Sequence, residues 1–161
     1  MAQDPRPVNT GLADNARTAV AESLIDVLAD TYAVYAKTHG FHWNVTGPQF
    51  QTLHTLFETQ YNELWVVLDE IAERIRALGV FAPGDFSSLA ARTAIEPAPA
   101  EPPSGDDMVR HLLADHETLV RRLRAAVEVA GEANDDVSED FLIGRLQIHE
   151  KTAWMLRAMT A

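Results

Sequence analysis

The run FQTLHTLFETQYNELWVVLDEIAERIRALG, residues 50–79, carries histidine and carboxylate as two offset pairs, His54 with Glu58 and Asp69 with Glu73. Within each pair the spacing is i,i+4, which on a helix stacks the two side chains one turn apart on one face, where they can converge on one cation. The pairs cannot converge on each other. Their centres lie fifteen residues apart, or about 22 Å along a straight helix, whereas ligands of a shared metal lie about 2 to 2.5 Å from it. The positions are nevertheless symmetric: 54 with 73 and 58 with 69 both average to 63.5. Packed antiparallel on its own copy, this helix sets His54 and Glu58 of one subunit against the partner's Asp69 and Glu73. The spacing therefore predicts two identical metal sites about a two-fold axis, an isologous contact.

The helical wheel separates these residues from the core. At about 100° per residue, Phe50, Leu53, Phe57, Leu64, Val67, Leu68, Ile71, Ile75 and Leu78 form one apolar stripe. The four candidate ligands fall on a second arc, interleaved with Trp65 and Ala72 and bordered by Tyr61. A solvated face with i,i+4 charge pairs is the alternative reading. Large aromatics among the carboxylates argue instead for a buried interface.

The elements that must position this helix read as helical throughout. Asp14 or Asn15 can cap a first helix through Val20, Leu24, Val27, Leu28 and Tyr35 to about Trp43, with Gly40 a local weakness. Asn44-Val45-Thr46-Gly47 is a turn, Pro48 suits the first position of the second helix, and Gly79 its end. The connection over residues 80–103 holds six prolines and glycines, and FSSLAARTAI within it is expected to form a short helix. So long a crossover frees helices two and three from being antiparallel neighbours. Ser104 with Asp107 resembles a capping box for a third helix ending near Gly131, and the fourth starts near Asp136. The expectation is an all-α, ferritin-like four-helix bundle over residues 14–161, with a long crossover carrying a short helix and a flexible segment at 1–13.

Composition narrows the function classes. With 13 Lys and Arg against 24 Asp and Glu, the net charge is −11; nucleic-acid binding draws its non-specific affinity from cations on phosphates, so DNA binding is not expected. There is no cysteine, which excludes disulfides and thiolate ligation. No membrane-length apolar run or leader core is visible, so a soluble cytoplasmic protein is expected, nucleoid association being the alternative placement.

The segment KTHGFHWNVTGPQFQTLHTLFETQYNELWVVLDEIAERIRALG, residues 37–79, together with the crossover and the ending HEKTAWMLRA, resembles the Dps family, the mini-ferritins named as DNA-binding proteins from starved cells. The resemblance implies a ferroxidase site built from His42, His54 and Glu58 of one subunit with Asp69 and Glu73 of its two-fold mate. It thus names the same intersubunit pairing as the spacing. Glu58 departs from the Asp commoner in the family, and the lysine-rich terminus on which DNA binding there usually depends is missing. The resemblance further implies Fe(II) oxidation, preferentially by hydrogen peroxide over dioxygen, and ferric storage in a hollow homododecamer built from two-fold dimers. Carboxylate and imidazole suit iron, and zinc can substitute without redox turnover.

Several other residues admit two readings. Trp43 and Trp65 are either packing residues or electron donors that quench one-electron oxidants. The acidic cluster at the start of helix four either sits in solvent at a helix N-terminus or lines a three-fold pore for Fe(II), with Asp135 and Asp140 as its lining. His39 is a supplementary ligand or a solvated residue, His149 approaches the site or supports packing, and His111 and His116 read as surface. Two rival functions stand beside the ferroxidase: a DNA-compacting structural protein and a redox-silent metal-binding bundle.

Overall fold

The computed structural model describes residues 3–160. Five helices follow in order: α1 (Asp14–Asn44), α2 (Phe50–Ala77), the short α3 (Phe86–Ala90), α4 (Gly105–Glu132) and α5 (Asp136–Ala158). Among the described residues there is no strand, only an isolated bridge between Gln3 and Val80. α1 packs along α2, α4 along α5 and α1 against α4, while ion pairs join α2 to α5: Arg74 to Asp135 and Arg145 to Glu63. The long crossover thus lets α4 pack principally on α1 and α5, as its length predicts.

The local signals act largely as expected, with instructive differences. Ser104 Oγ accepts from the Asp107 amide and opens α4, and Asp135 caps α5 through the Ser138 amide. α1 begins without a side-chain cap: Ala13 holds the N-cap position, and Asp14 lies inside the helix. Gly40 does not interrupt α1. The first turn of α2 starts two residues after Pro48, at Phe50, and Phe50 itself is exposed while the rest of the predicted apolar stripe is buried.

α3 is much shorter than FSSLAARTAI. Asp85 caps it through the Ser88 amide, but the residues after Ala90 have stronger partners elsewhere. Arg92 reaches Glu22 and Asp26 of α1, and the buried carboxylate of Asp30 accepts from Thr93 Oγ1 at 2.9 Å and the Ala94 amide at 2.7 Å, as well as from Arg122 Nε of α4 at 2.9 Å. A buried carboxylate needs such donors to offset its lost hydration. Satisfying it pulls the chain out of helix and pins the crossover across α1.

The segment before α1 is tied to the far end of α2. The Asp4 amide donates to Gly79 O at 2.9 Å, and the Asp4 carboxylate holds Arg76 at 2.6 Å, besides Arg6. Gly79 has φ +87°, and a Cβ there would lie 2.7 Å from Val8 Cγ2. Both the backbone and the close approach require glycine at that position.

The core contains a polar file. His116 of α4, expected at the surface, is 2% exposed; its Nδ1 lies 2.9 Å from Nδ1 of His149 on α5, whose Nε2 faces Arg145 Nη2 at 3.1 Å. Arg145 continues the file to Glu63 of α2. Since a guanidinium can only donate, His149 Nε2 accepts, His149 Nδ1–H donates to His116 Nδ1, and His116 carries its proton on Nε2. Beside it Lys37 pairs with Asp115 at 2.7 Å, both buried; burial pushes the Asp115 carboxyl up against the opposing pull of Lys37.

Burial, aided by Arg145, lowers His116 from 6.5 to about 4. Burial, then His116 and Arg145, holds His149 well below 6.5. Both rings are neutral in the fold and take up protons on unfolding, so stability should fall as pH drops from 6.5 through about 4, by about 1.4 kcal/mol per pH unit for each proton the unfolded state gains. Asp115, with its raised folded value, works in the opposite direction. Denaturant unfolding over this range should therefore show a shallower acid slope for His116→Gln than for the unaltered protein; equal slopes would contradict the assignment.

Candidate metal centre

The turn between α1 and α2 brings the two histidines face to face. The His42 and His54 rings stack with centroids 3.8 Å apart and 18° between planes. His42 Nδ1 lies 2.9 Å from the carbonyl of His54, and His54 Nδ1 lies 2.9 Å from the carbonyl of His42. A carbonyl only accepts, so each Nδ1 carries the proton and donates. In the neutral imidazole this tautomer leaves the Nε2 lone pair as the one available to a metal. Backbone acceptors that fix ring tautomer and orientation are the usual support of metal-binding histidines. Neither imidazole was chosen by spacing to be tied this way; the reciprocity follows from where the turn at residues 45–49 places the helices.

The carboxylates stand apart from this pair. Glu58, Asp69 and Glu73 are all exposed on α2, and among the described residues their carboxylates have no hydrogen bond or ion pair. Among the described residues no group of three or more His, Asp or Glu is arranged to hold a metal within one subunit. The structure thus brings together His42 and His54 and leaves the three carboxylates on a helix face that the chain itself does not cover. Trp65, 61% exposed, shares that face, and Trp43 beside His42 is 67% exposed.

An aromatic cluster backs the histidines. Tyr61 meets His42 edge-on at 5.1 Å and stacks on His39 at 4.0 Å, 22° between planes. His39 also contacts Trp43 at 4.3 Å, and its Nδ1 is 3.3 Å from the Tyr35 hydroxyl. His39 is thus half-buried among rings instead of solvated.

The acidic cluster divides. Asp140 is exposed, but Asp135 is 3% exposed and points into its own subunit, bound by Arg74 Nη2 at 2.7 and 2.8 Å and by the Ser138 hydroxyl at 2.7 Å. Burial raises its carboxyl, yet these hydrogen bonds outweigh that and hold it below the ordinary value. The expectation of Asp135 as open pore lining is corrected: its charge is neutralised by Arg74, and its lone pairs are committed to the α5 cap.

Residues 21–161 match the ferritin-like domain family. The chain is 38% identical over 139 residues to DNA protection during starvation protein 2 of Bacillus anthracis, covering 86% of this chain and 94% of that one. The chain belongs to the Dps family. This Dps-family protein is also 41% identical over 152 residues to an uncharacterized low temperature-induced protein of Nostoc sp., covering 94% of this chain and 85% of the other. Among solved structures, the DPS protein of Vibrio cholerae O1, described as a member of a broad superfamily of ferritin-like diiron-carboxylate proteins, superposes with TM-score 0.92 at 29% identity, over 98% of this chain and 99% of that one.

The polar file was within reach of periodicity. His116 sits on the core stripe Leu112, Leu119, Leu123 of α4, and Arg145 and His149 on Leu142, Leu146, Ala153, Leu156 of α5. Position outranks residue type there. Asp135→Asn should cost about 2 to 4 kcal/mol, the range for breaking a buried, hydrogen-bonded pair, whereas Asp140→Asn should leave stability unchanged. Thermal unfolding of the two variants checks this, and equal melting temperatures would return Asp135 to the solvent-exposed cluster.

Proposed function

We propose that this chain is a mini-ferritin subunit: a ferroxidase that oxidises Fe(II), with hydrogen peroxide preferred over dioxygen, and stores ferric iron in the cavity of a homododecamer, protecting the cytoplasm against oxidative stress. The observation that carries this reading is the reciprocal His42–His54 pair, two stacked rings whose Nδ1 atoms are committed to backbone carbonyls and whose Nε2 atoms are the ones left for a metal. Imidazole and carboxylate together suit Fe(II), and anionic oxygen donors favour the ferric product. Glu58 extends the first pair, and the second pair, Asp69 and Glu73, would come from a two-fold mate packed antiparallel on α2. Their exposure in the single chain agrees with that.

Hydrogen peroxide accepts two electrons as its O–O bond breaks. A site that presents two Fe(II) ions supplies one electron from each, yielding two Fe(III) and two hydroxides without a free radical. Here the protein holds the donor atoms, fixes the ring tautomers and excludes bulk water once the face is covered. Acidic residues at a three-fold pore, Asp140 foremost with Asp135 locking the helix start behind it, would raise the local Fe(II) concentration. The negative charge and the few cations argue against the DNA-compacting alternative. A redox-silent bundle holding zinc would accept the same ligands but transfer no electron.

Glu73→Gln keeps the side-chain size and removes the charge. Rapid ferric absorbance after Fe(II) and peroxide addition should fall on the order of tenfold or more, since even outer partners of metal ligands matter that much, while the helical circular dichroism stays intact. Unchanged oxidation kinetics in this variant would contradict the ligand assignment.

A further inference from the structure

The aromatic cluster behind the histidines contains one hydrogen bond that packing alone does not require: the Tyr35 hydroxyl with His39 Nδ1 at 3.3 Å. Both residues are half-buried on α1, one turn apart. From His42 the rings follow one another through Tyr61 at 5.1 Å and on to Tyr35 at 6.5 Å, and Tyr35 lies 5.7 Å from Trp65 and 6.0 Å from Tyr32. No step in this series exceeds 6.5 Å. Tyr35 is the branching point, and it is the tyrosine whose hydroxyl has an imidazole within reach.

A phenol gives up an electron readily only when its proton leaves with it, because the oxidised phenol is a strong acid. A neutral imidazole on the hydroxyl is a suitable acceptor. We infer that Tyr35 and His39 form a proton-coupled electron donor that quenches one-electron oxidants arising at the His42–His54 site, an inference that rests on the ferroxidase reading for the source of the oxidant. The oxidant is hydroxyl radical, formed when a single Fe(II) reduces peroxide by one electron to hydroxide and hydroxyl radical. The radical takes one electron through Tyr61 and becomes hydroxide. Tyr35 supplies that electron, its O–H bond breaks, and the proton passes to His39 Nδ1, leaving a neutral tyrosyl radical and an imidazolium. Tyr61 and Trp43 are transit or primary sites, and Tyr35 is where the hole comes to rest.

The test uses the assembled protein in two arms. In the first, iron-free protein is oxidised with azidyl radical by pulse radiolysis, and the tyrosyl absorption is followed for the unaltered protein, Tyr35→Phe and His39→Phe. His39→Phe preserves an aromatic ring against Tyr61 but removes the proton acceptor. In the second, freeze-quenched electron paramagnetic resonance reads the tyrosyl signal after substoichiometric Fe(II) and peroxide, with ferric absorbance recorded on the same samples.

The expected result is loss of most of the long-lived tyrosyl signal in Tyr35→Phe and in His39→Phe in both arms, with ferric absorbance kept. A solvent deuterium effect on tyrosyl formation should be present in the unaltered protein and absent in His39→Phe. Equal tyrosyl yields in the unaltered protein and Tyr35→Phe under azidyl radical would overturn the inference. So would an unchanged yield and isotope effect in His39→Phe. Failure of the ferroxidase reading is distinguishable, because it removes ferric absorbance in the second arm and leaves the azidyl arm readable.

Discussion

The two hydrogen bonds that His42 and His54 exchange with each other's backbone carbonyls are the constraint on which the functional face depends. They tie the last turn of α1 to the first full turn of α2, set the angle at which α2 leaves, and decide which ring nitrogens remain free. Everything further along α2 inherits that direction. Its apolar stripe turns inward onto α1, and the arc holding Glu58, Trp65, Asp69 and Glu73 faces outward. A change in the turn that broke the reciprocity would misplace the lone pairs and rotate the carboxylates together.

Inside the bundle the polar groups are few and most are paired, although His116 Nε2 has no partner among the described residues. Asp30 collects donors from the crossover and α4, Lys37 meets Asp115, and Glu63, Arg145, His149 and His116 form one file. Burying these groups gains little net stability, since desolvation offsets attraction, but leaving any one unpaired would be costly. Their value lies in register: each file joins particular positions on different helices, so sliding α5 against α2 by a turn would leave an arginine and a carboxylate stranded. Under the proposed two-fold pairing, an outer face that meets a copy of itself in one alignment would benefit from an interior that permits only one.

Much of this was legible in the residues. The core stripe of α2, the Ser104 cap of α4, the start of α5 at Asp136, and the separation of the ligand arc from the apolar arc follow from period and cap chemistry. What escaped reading depends on partners distant in sequence. α3 ends early because Asp30, more than sixty residues away, claims Thr93 and Ala94. His116 reads as polar and therefore external until its place on the stripe is given more weight than its type. Asp135 reads as one acid among several, and only the fold supplies Arg74. The imidazole pair is intermediate: spacing singles out His54 and the family resemblance adds His42, but the carbonyls that orient them are main-chain groups, which no side-chain pattern reveals.

The claim on which the account rests is that each metal centre draws ligands from two subunits. Complementation tests it directly. His54→Ala and Glu73→Gln subunits, each inactive alone, are co-assembled, and rapid Fe(II) oxidation is measured per dimer. If sites are shared across the two-fold axis, a mixed dimer has one centre carrying both substitutions and one carrying neither, so oxidation returns through the intact centre. If each subunit holds its own centre, every centre in the mixed dimer is damaged, and mixtures as inactive as the separate variants would contradict the account.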